Sequence, residues 1–452
     1  MPDLPVPSAS LPLSRDAMAD AAQRALEHAR ARGAGDAEVE VSAAVGQSVT
    51  VRRGDVETVE YNRDKGMGIT VYFGARRGNA NTSDLSREGI ERTVEAACAI
   101  ARHTAEDPAA GLPDPARIFR GKLPDLALFH PWGLTVEDSI DIARRTEAAA
   151  LAVDKRIGNT DGATVSANDS DFVLANSRGF VGGFPASKAS ISCSVVAEDA
   201  NGMQRDYWYT THRDASMLDD PPSVGRIAGE RTVRRLGARR LPTTEAPVLF
   251  DANIAASLLG HFVTAASGSS LYRQSSFLMD SLGKQVFAPH FEIVEDPHMS
   301  GEMASAYFDA EGVATSARRV VEDGVLKGWF LSSYSARKLG LQTTGNAGGN
   351  HNLIVTPGAL DLAGLLRKMD RGFLVTDLMG QGVNPVTGDY SRGAAGFWVE
   401  KGQIQYPVEE VTIAGNLLQM FAGIVAVGND AVWRGSKHCG SILVDRMTIA
   451  GD

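Results

Sequence analysis

The sequence has few cysteines and no long apolar run. Its 452 residues include only Cys98, Cys193 and Cys439, which lie far apart and form no CxxC pair. An odd number of separated cysteines fits a reducing compartment better than a disulfide framework. The most apolar stretch, residues 417–427, is too short to span a bilayer, and residues 1–14 lack the basic start and apolar core of a signal peptide. We therefore expect a soluble, cytoplasmic protein without a membrane segment.

Positive charge is also in deficit. The formal net charge is -10 and the pI is about 5.5. Nucleic-acid affinity comes largely from clustered Lys and Arg, so this balance argues against a dominant phosphate-binding surface. One local basic cluster comprises Arg231, Arg234, Arg235, Arg239 and Arg240. We interpret it as a solvated helix end, where the helix dipole favours cations, and predict no nucleic-acid partner.

Signatures of self-sufficient hydrolysis are missing. Zinc peptidases commonly place two histidines on one helix and add a third ligand. Nine histidines occur here, but no HExxH, HExxxH or HxxxH, and the closest two, His290 and His298, are eight residues apart. No GxSxG motif precedes a predicted helix either, which argues against a serine nucleophile elbow.

A polar segment spans residues 290–298 and contains His290, Glu292, Glu295, Asp296 and His298. On a strand, His290 and Glu292 would share a face. Pro297 interrupts the regularity, and the spacing matches no recognised ligand pattern. Metal binding and a polar loop satisfied by solvent are the two interpretations, and we favour the loop.

A glycine-rich segment precedes the apolar residues 353–355. It contains Asn346, Gly348, Gly349, Asn350 and His351. Such loops can bring backbone N–H groups close to an anion or a peptide, but most are simple turns. We favour the turn and keep substrate contact as the alternative.

His438 and Cys439 could be a ligand pair or hold a thiol nucleophile. Adjacent strand residues point to opposite faces, which makes joint binding of one ion awkward. A lone cysteine is more often a small buried hydrophobe, and this is the interpretation that we favour.

The element pattern predicts an α+β protein in three parts, residues 1–120, 121–240 and 241–452. Each of the first two parts reads as helix, four strands, helix. The first part has helices from Ser14 to Gly33 and over residues 86–103, with strands at residues 37–42, 48–53, 57–62 and 67–73. The second begins at the capping residue Thr135, ends with a helix over residues 223–236, and has strands at residues 163–168, 172–176, 187–197 and 203–211. A proline-rich linker, residues 107–125, separates the two.

The third part is predicted to be β-rich and barrel-like. Alternating polar and apolar residues occur at 316–321, 403–408 and 441–444. Helices are predicted at residues 253–266 and 359–368.

Several long sequence segments resemble the PmbA/TldE branch of the TldD/PmbA metallopeptidase family. In the third part they are residues 271–284, 324–337, 343–349, 379–384, 387–400 and 405–410, and in the first part residues 66–71 and 79–83. The resemblance covers essentially the whole chain. It implies a peptidase acting on unfolded or extended peptides, including peptide-antibiotic precursors and an antitoxin, built from a TldD-type and a TldE-type subunit.

The resemblance also implies where zinc is held. In the TldD branch a helix of the third domain carries His-Glu-x-x-x-His, and a cysteine near the C-terminus completes the site. Here the corresponding positions are Leu259, Gly260 and Thr264, His261 lies close by, and only Cys439 looks like a retained ligand. One thiol cannot hold zinc where three protein ligands are usual. We expect no catalytic residues and no metal in this chain, with zinc in the partner subunit.

The expected role is to complete the substrate chamber. A sheet edge and the glycine-rich loops of the third part could hold an extended peptide by main-chain hydrogen bonds. The substrate-contact candidates are Arg273, Asn346, Gly348, Gly349, Asn350 and His351. A homodimer of the isolated chain stays open. Two alternatives stay open as well: an independent peptidase using Cys439 with residues 290–298, and a non-enzymatic regulator connected with DNA gyrase or a carbon-storage regulator.

Overall fold

Two long strands dominate the first part of the chain in the computed structural model, which describes residues 11–122 and 124–451. The elements are α1 (Arg15–Ala31), β1 (Asp36–Arg52), β2 (Asp55–Phe73), β3 (Arg76–Thr82) and α2 (Arg87–His103). The Ser14 side chain caps α1 by accepting a hydrogen bond from the Ala17 N–H. Of the N-terminal segment on which the signal-peptide prediction rests, residues 1–10 lie outside the described residues.

The prediction of four short strands in this part is wrong, because the first two and the last two each merge into one strand. Gly46 lies between the first two predicted strands. It does not form a turn there; its lack of a side chain leaves space for the side chains of the neighbouring strands. A Cβ there would stand 2.2 Å from Oδ1 of Asn62 and 2.3 Å from Oδ1 of Asn168 on the neighbouring strands. The tight turn is instead at Arg53 and Gly54, which both have positive φ.

The second part adds α3 (Val136–Leu151), β4 (Ile157–Asn176), β5 (Val181–Gly182), β6 (Ala186–Asp199), β7 (Gly202–His212) and α4 (Pro221–Arg234). Its four strands differ from the predicted ones, because residues 163–168 and 172–176 are one strand and β5 was not foreseen. Polar residues 168–170 continue β4 because β1 and β6 pair with them on both sides and satisfy their backbone groups.

The strands of both parts form a single sheet. Its order is β3-β2-β1-β4-β6-β7, with β5 paired to β4. Odd-numbered residues of β1 face the helices: Val39 packs in the core under α1 and α2, and Val51 in the core under α3 and α4. On the opposite face Phe172 and Leu174 of β4 belong to a cluster with Tyr307 and Phe308 of the third part. The sheet therefore has helices on one face and C-terminal residues on the other.

The third part contains a closed barrel. Its elements are β8 (Thr244–Phe250), α5 (Ala252–Ala265), α6 (Gly268–Tyr272), β9 (Ile293–Asp296), β10 (Arg318–Glu322), β11 (Val325–Leu326), α7 (Ser333–Leu339), β12 (Asn352–Val355), α8 (Leu362–Met369), β13 (Gly372–Met379), β14 (Asp389–Glu400), β15 (Gln403–Asn416), α9 (Leu417–Ala422), β16 (Ile424–Val427), β17 (Val432–Arg434), β18 (Lys437–Cys439) and β19 (Ile442–Ala450). Strands β15-β14-β13-β8-β19 close on themselves through a β15–β19 pairing.

A second sheet, β11-β10-β9-β12-β18-β17, lies beside the barrel. The α+β class and the barrel-like third part are confirmed, and α5 and α8 match the two helices predicted there. Within the described part of the chain, no helix is both long and apolar enough to cross a bilayer.

Candidate functional site

Helix α5 carries one histidine, His261, close to the positions where the resemblance places the zinc ligands of the TldD branch. Asp251 caps the helix by accepting from the Asn253 N–H. Leu259 is 1% exposed and belongs to the apolar core, whereas Thr264 is exposed and donates to the Gly260 carbonyl. Apart from the backbone of the helix and the chain neighbours of Gly260, no described atom lies within 4 Å of a Cβ built at this glycine. Of the three positions, Leu259 is therefore buried and Thr264 is exposed.

His261 lies half-buried on the same helix. Its ring meets the Tyr390 ring edge-on, with centroids 5.8 Å apart, and its Nε2 has no hydrogen-bond partner among the described residues. Burial, assisted by the nearby Arg392, lowers the pKa of His261. The neutral form of the imidazole is therefore favoured.

Cys439 ends β18 and is fully buried, as expected for a lone cysteine. Its thiol donates to the Gly440 carbonyl at 3.2 Å. Burial, together with the charge of Asp430, raises the pKa of this thiol far above its ordinary range. Because a zinc ligand must be a thiolate, coordination here would require this buried thiol to lose its proton. The neighbouring His438 instead packs against Trp433, with ring centroids 4.9 Å apart.

The polar segment 290–298 is divided among three environments. His290 is exposed in a turn before β9. Glu295, on β9, is 1% exposed and accepts from the Arg318 Nε at 2.7 Å, the Asn346 Nδ2 at 2.8 Å and the His351 N–H at 2.7 Å. Glu295 is therefore a buried structural carboxylate, and the solvent-satisfied loop is wrong for this residue.

His298 lies beyond the other end of β9. Its Nε2 contacts Oγ1 of Thr315 at 3.0 Å, and burial lowers its pKa. The strand register places Cys439 near the opposite end of β9, because His438 aligns with Ile354 and Ile354 with Val294. The structure thus does not bring Cys439 together with His298. Within residues 11–122 and 124–451, no three His, Cys, Asp or Glu side chains gather closely enough to hold a metal ion.

The glycine-rich loop is fixed from inside. Asn346 Oδ1 accepts from Thr344 and Arg318, and its Nδ2 donates to the Gly349 carbonyl as well as to Glu295. His351 Nε2 lies 2.8 Å from the Gly345 carbonyl. Gly348 and Gly349 have φ of 98° and 123°, which favour glycine. The loop is therefore a rigid turn, in agreement with the favoured interpretation.

This turn also lines a cleft of about 480 Å³ between the third part and the helix-free face of the large sheet. Four of the substrate-contact candidates, Gly348, Gly349, Asn350 and His351, lie along it. Asn346 is buried behind them. Arg273 does not line the cleft, since it is exposed at the end of α6 and its guanidinium stands over the Tyr272 ring.

Asp309 is a cleft residue that the sequence did not single out. It is 4% exposed and accepts from the N–H groups of Glu311, Val313 and Ala347, each at 2.9 Å. Burial, with a smaller contribution from the Glu311 charge, raises its pKa to about 7. The spacing Asp309-x-x-Gly312 is a turn signal, but nothing in it indicates burial.

Comparison with known proteins decides the family. Models of the PmbA/TldA metallopeptidase match as domain 1 over residues 37–101, as the central domain over residues 129–236 and as the C-terminal domain over residues 243–451. The chain is 48% identical to the metalloprotease PmbA of Escherichia coli O157:H7 over 97% of each chain. It belongs to the PmbA/TldD metallopeptidase family.

Members of the PmbA/TldD family differ in their distance from this chain. A PmbA homologue of Haemophilus influenzae is 46% identical over 95% of each chain, whereas a TldD homologue of the same organism is 21% identical over 85% of this chain and 83% of its own. A solved structure from Bacteroides thetaiotaomicron, of a protein proposed to modulate DNA gyrase, matches with a TM-score of 0.91 at 28% identity over 96% of this chain and 99% of its own. The TldE structure from Thermococcus kodakarensis, at 20% identity and a TM-score of 0.84 over 95% of this chain and 100% of its own, shares the fold.

Proposed function

We propose that this chain is the PmbA/TldE-type subunit of a zinc metallopeptidase and that a TldD-type partner holds the metal and performs hydrolysis. The observation that carries the proposal is the donor set at α5 and β18. It consists of a neutral imidazole without a second histidine, and a thiol whose pKa is raised by burial. A catalytic zinc needs about three protein ligands and an open position, and these residues do not fit it.

The proposed role in binding substrate rests on a free strand edge. A free strand edge was expected in the third part, where the barrel is closed by the β15–β19 pairing. Residues 55–66 of β2 offer such an edge instead. They pair with β1 on one side, and β3 pairs with β2 only from Met67 onward. An extended peptide can add to such an edge by main-chain hydrogen bonds with little dependence on its sequence. The substrates are unfolded peptides, including antibiotic precursors and an antitoxin.

The test is reconstitution. The TldD-type chain is assayed on an unfolded peptide alone, with this chain, and with this chain after heat denaturation. Cleavage is expected only with both native chains present, and zinc is expected in the partner at one ion per heterodimer. Equal cleavage by the partner alone would refute the proposal, and stoichiometric zinc in this chain alone, lost on Cys439→Ala, would favour an independent peptidase.

A regulatory function is the second candidate, because solved relatives from Bacteroides thetaiotaomicron and Thermotoga maritima are described as proposed modulators of DNA gyrase. With a net charge of -10, such an effect would run through protein contacts rather than through DNA. Affinity capture that recovers gyrase or another regulator, and no TldD-type chain, would favour this function.

A further inference from the structure

A second cavity, which we call the aromatic pocket, shares Phe308 with the cleft of the glycine-rich loop and is otherwise lined by different residues. Its volume is about 400 Å³. Three segments enclose it: residues 113–121 of the predicted linker, residues 176–183 around β5, and Tyr307 with Phe308 of the third part. All three parts of the chain therefore contribute to one enclosed site.

The apolar wall of the pocket is rigid. The Phe308 ring packs edge-on against Phe180 at 5.2 Å and Phe184 at 5.5 Å between centroids, and lies 5.9 Å from Phe119. Backbone hydrogen bonds fix the surrounding loops, from the Phe119 N–H to the Gly312 carbonyl and from the Asn176 N–H to the Phe180 carbonyl. Preformed aromatic walls of this kind favour an apolar group of a ligand.

Glycine keeps the pocket open. A Cβ at Gly182 would stand 2.8 Å from the Phe180 ring and 2.9 Å from the Phe308 ring, so any side chain there would collide with the wall. β5 pairs with β4 along one edge, and its residues Val181 and Gly182 line the pocket. Among the strands that the structure describes, none pairs with its other edge.

The charge at the rim is unbalanced. Arg15 forms two hydrogen bonds to the buried Asp171, and Arg178 forms two to Asp36, so both guanidinium groups are neutralised. Arg120 also lines the pocket, yet it is exposed and makes no ion pair or hydrogen bond with any residue that the structure describes. One uncompensated guanidinium beside an apolar cavity complements a carboxylate.

We infer that the aromatic pocket binds a carboxylate carried on an apolar group, as at the C-terminus of a peptide that ends in an apolar residue. The side chain lies against Phe119, Phe180 and Phe308, the carboxylate meets Arg120, and the preceding peptide backbone runs along β5. The assignment to a peptide rests on the proposed peptidase function, whereas the recognition of an apolar carboxylate does not.

Titration calorimetry on the full-length chain tests the inference. The probes are the peptide acetyl-Ala-Ala-Ala-Phe as the free acid, the same peptide as the C-terminal amide, and 3-phenylpropionate. The free-acid peptide is expected to bind about tenfold more tightly than the amide, because a charge-assisted contact is lost. Stronger binding of 3-phenylpropionate than of the peptide acid would overturn the peptide assignment, and equal binding of acid and amide would overturn the carboxylate.

Two variants locate the site. Arg120→Gln is expected to remove the preference for the acid, and Gly121→Leu to weaken both peptides at least tenfold by filling the pocket. Gly121 tolerates a side chain, since among the described atoms outside its chain neighbours only Phe119 Cε2, at 3.8 Å, lies near a Cβ built there. Arg446→Gln, an exposed arginine on β19, is the matched control. Wild-type affinity in Gly121→Leu would refute the location. Because binding is measured on this chain alone, failure here is distinct from failure of the reconstituted cleavage.

Discussion

Breaking the Glu295–Arg318 pair should destabilise the third part of the chain more than any exposed ion pair would. The Glu295 side chain is 1% exposed and that of Arg318 is 18% exposed. Glu295→Gln would replace Oε2 by an NH2 group that faces the Arg318 Nε, so two donors would meet in a buried site. Breaking a buried pair costs about 3–5 kcal/mol, and the partial exposure of Arg318 reduces our expectation to about 3 kcal/mol.

The assay is a double-mutant cycle in urea unfolding, with Glu295→Gln, Arg318→Met and the double variant. If the two residues act as a pair, the double variant costs less than the sum of the single ones, with a coupling of about 2 kcal/mol. The exposed pair Arg145–Asp141, whose side chains are 51% and 69% exposed, is the control and should show no measurable coupling.

The same variant should loosen the glycine-rich turn, because its uncharged amide oxygen is a weaker acceptor than the carboxylate, whose Oε1 holds both Asn346 and the His351 N–H. Limited proteolysis between residues 345 and 351 is expected to accelerate in Glu295→Gln and not in the control. A loss below 1 kcal/mol with unchanged proteolysis would refute the role assigned to this carboxylate.

Three further predictions concern Asp309, Cys439 and β2. The folded-state pKa of Asp309, about 7, lies above the ordinary value of 3.8. The stabilising contribution of Asp309 is therefore full below pH 3.8 and is lost as the pH rises through 7. The thermal midpoint of the wild type should fall over this range, and that of Asp309→Asn should not. Cys439 should react with a thiol reagent only after denaturation, and Cys439→Ala should lower stability by about 1–2 kcal/mol without changing cleavage by the reconstituted pair; a tenfold loss of cleavage at equal stability would contradict this. Val59→Lys with Tyr61→Lys, at 47% and 64% exposure, should raise the KM of reconstituted cleavage while leaving unfolding unchanged, whereas Met203→Lys on β7 should affect neither; an unchanged KM would exclude the β2 edge.

Much of the fold could be predicted from local patterns. Caps such as Ser14 and Thr135 mark helix starts because the side-chain oxygen accepts from the backbone near the helix start. The number of strands could not be predicted, because Gly46 and residues 64–66 look like turns locally. Only the neighbouring Asn62 and Asn168 explain why a glycine continues a strand.

The candidate site was predictable only where its residues are neighbours in sequence. The rigid turn at Gly348 and Gly349 follows from two consecutive glycines. Its anchor does not, because Glu295 precedes Asn346 by 51 residues and is brought to it by the pairing of β9 with β12. The polar composition of residues 290–298 also gave no sign that one carboxylate in it is buried.

The geometry at α5 indicates that substituting the His-Glu-x-x-x-His residues into this helix would not be enough to create a zinc site. Thr264→His and Gly260→Glu both add side chains where the helix is exposed or the neighbouring space is open. Leu259→His instead would bury a polar ring in the apolar core, at a cost of about 2–5 kcal/mol. Cys439 would also have to ionise in a fully buried position near Asp430. The packing around α5, in addition to the identities of the residues there, therefore opposes a zinc site like the one that the resemblance places in the TldD branch.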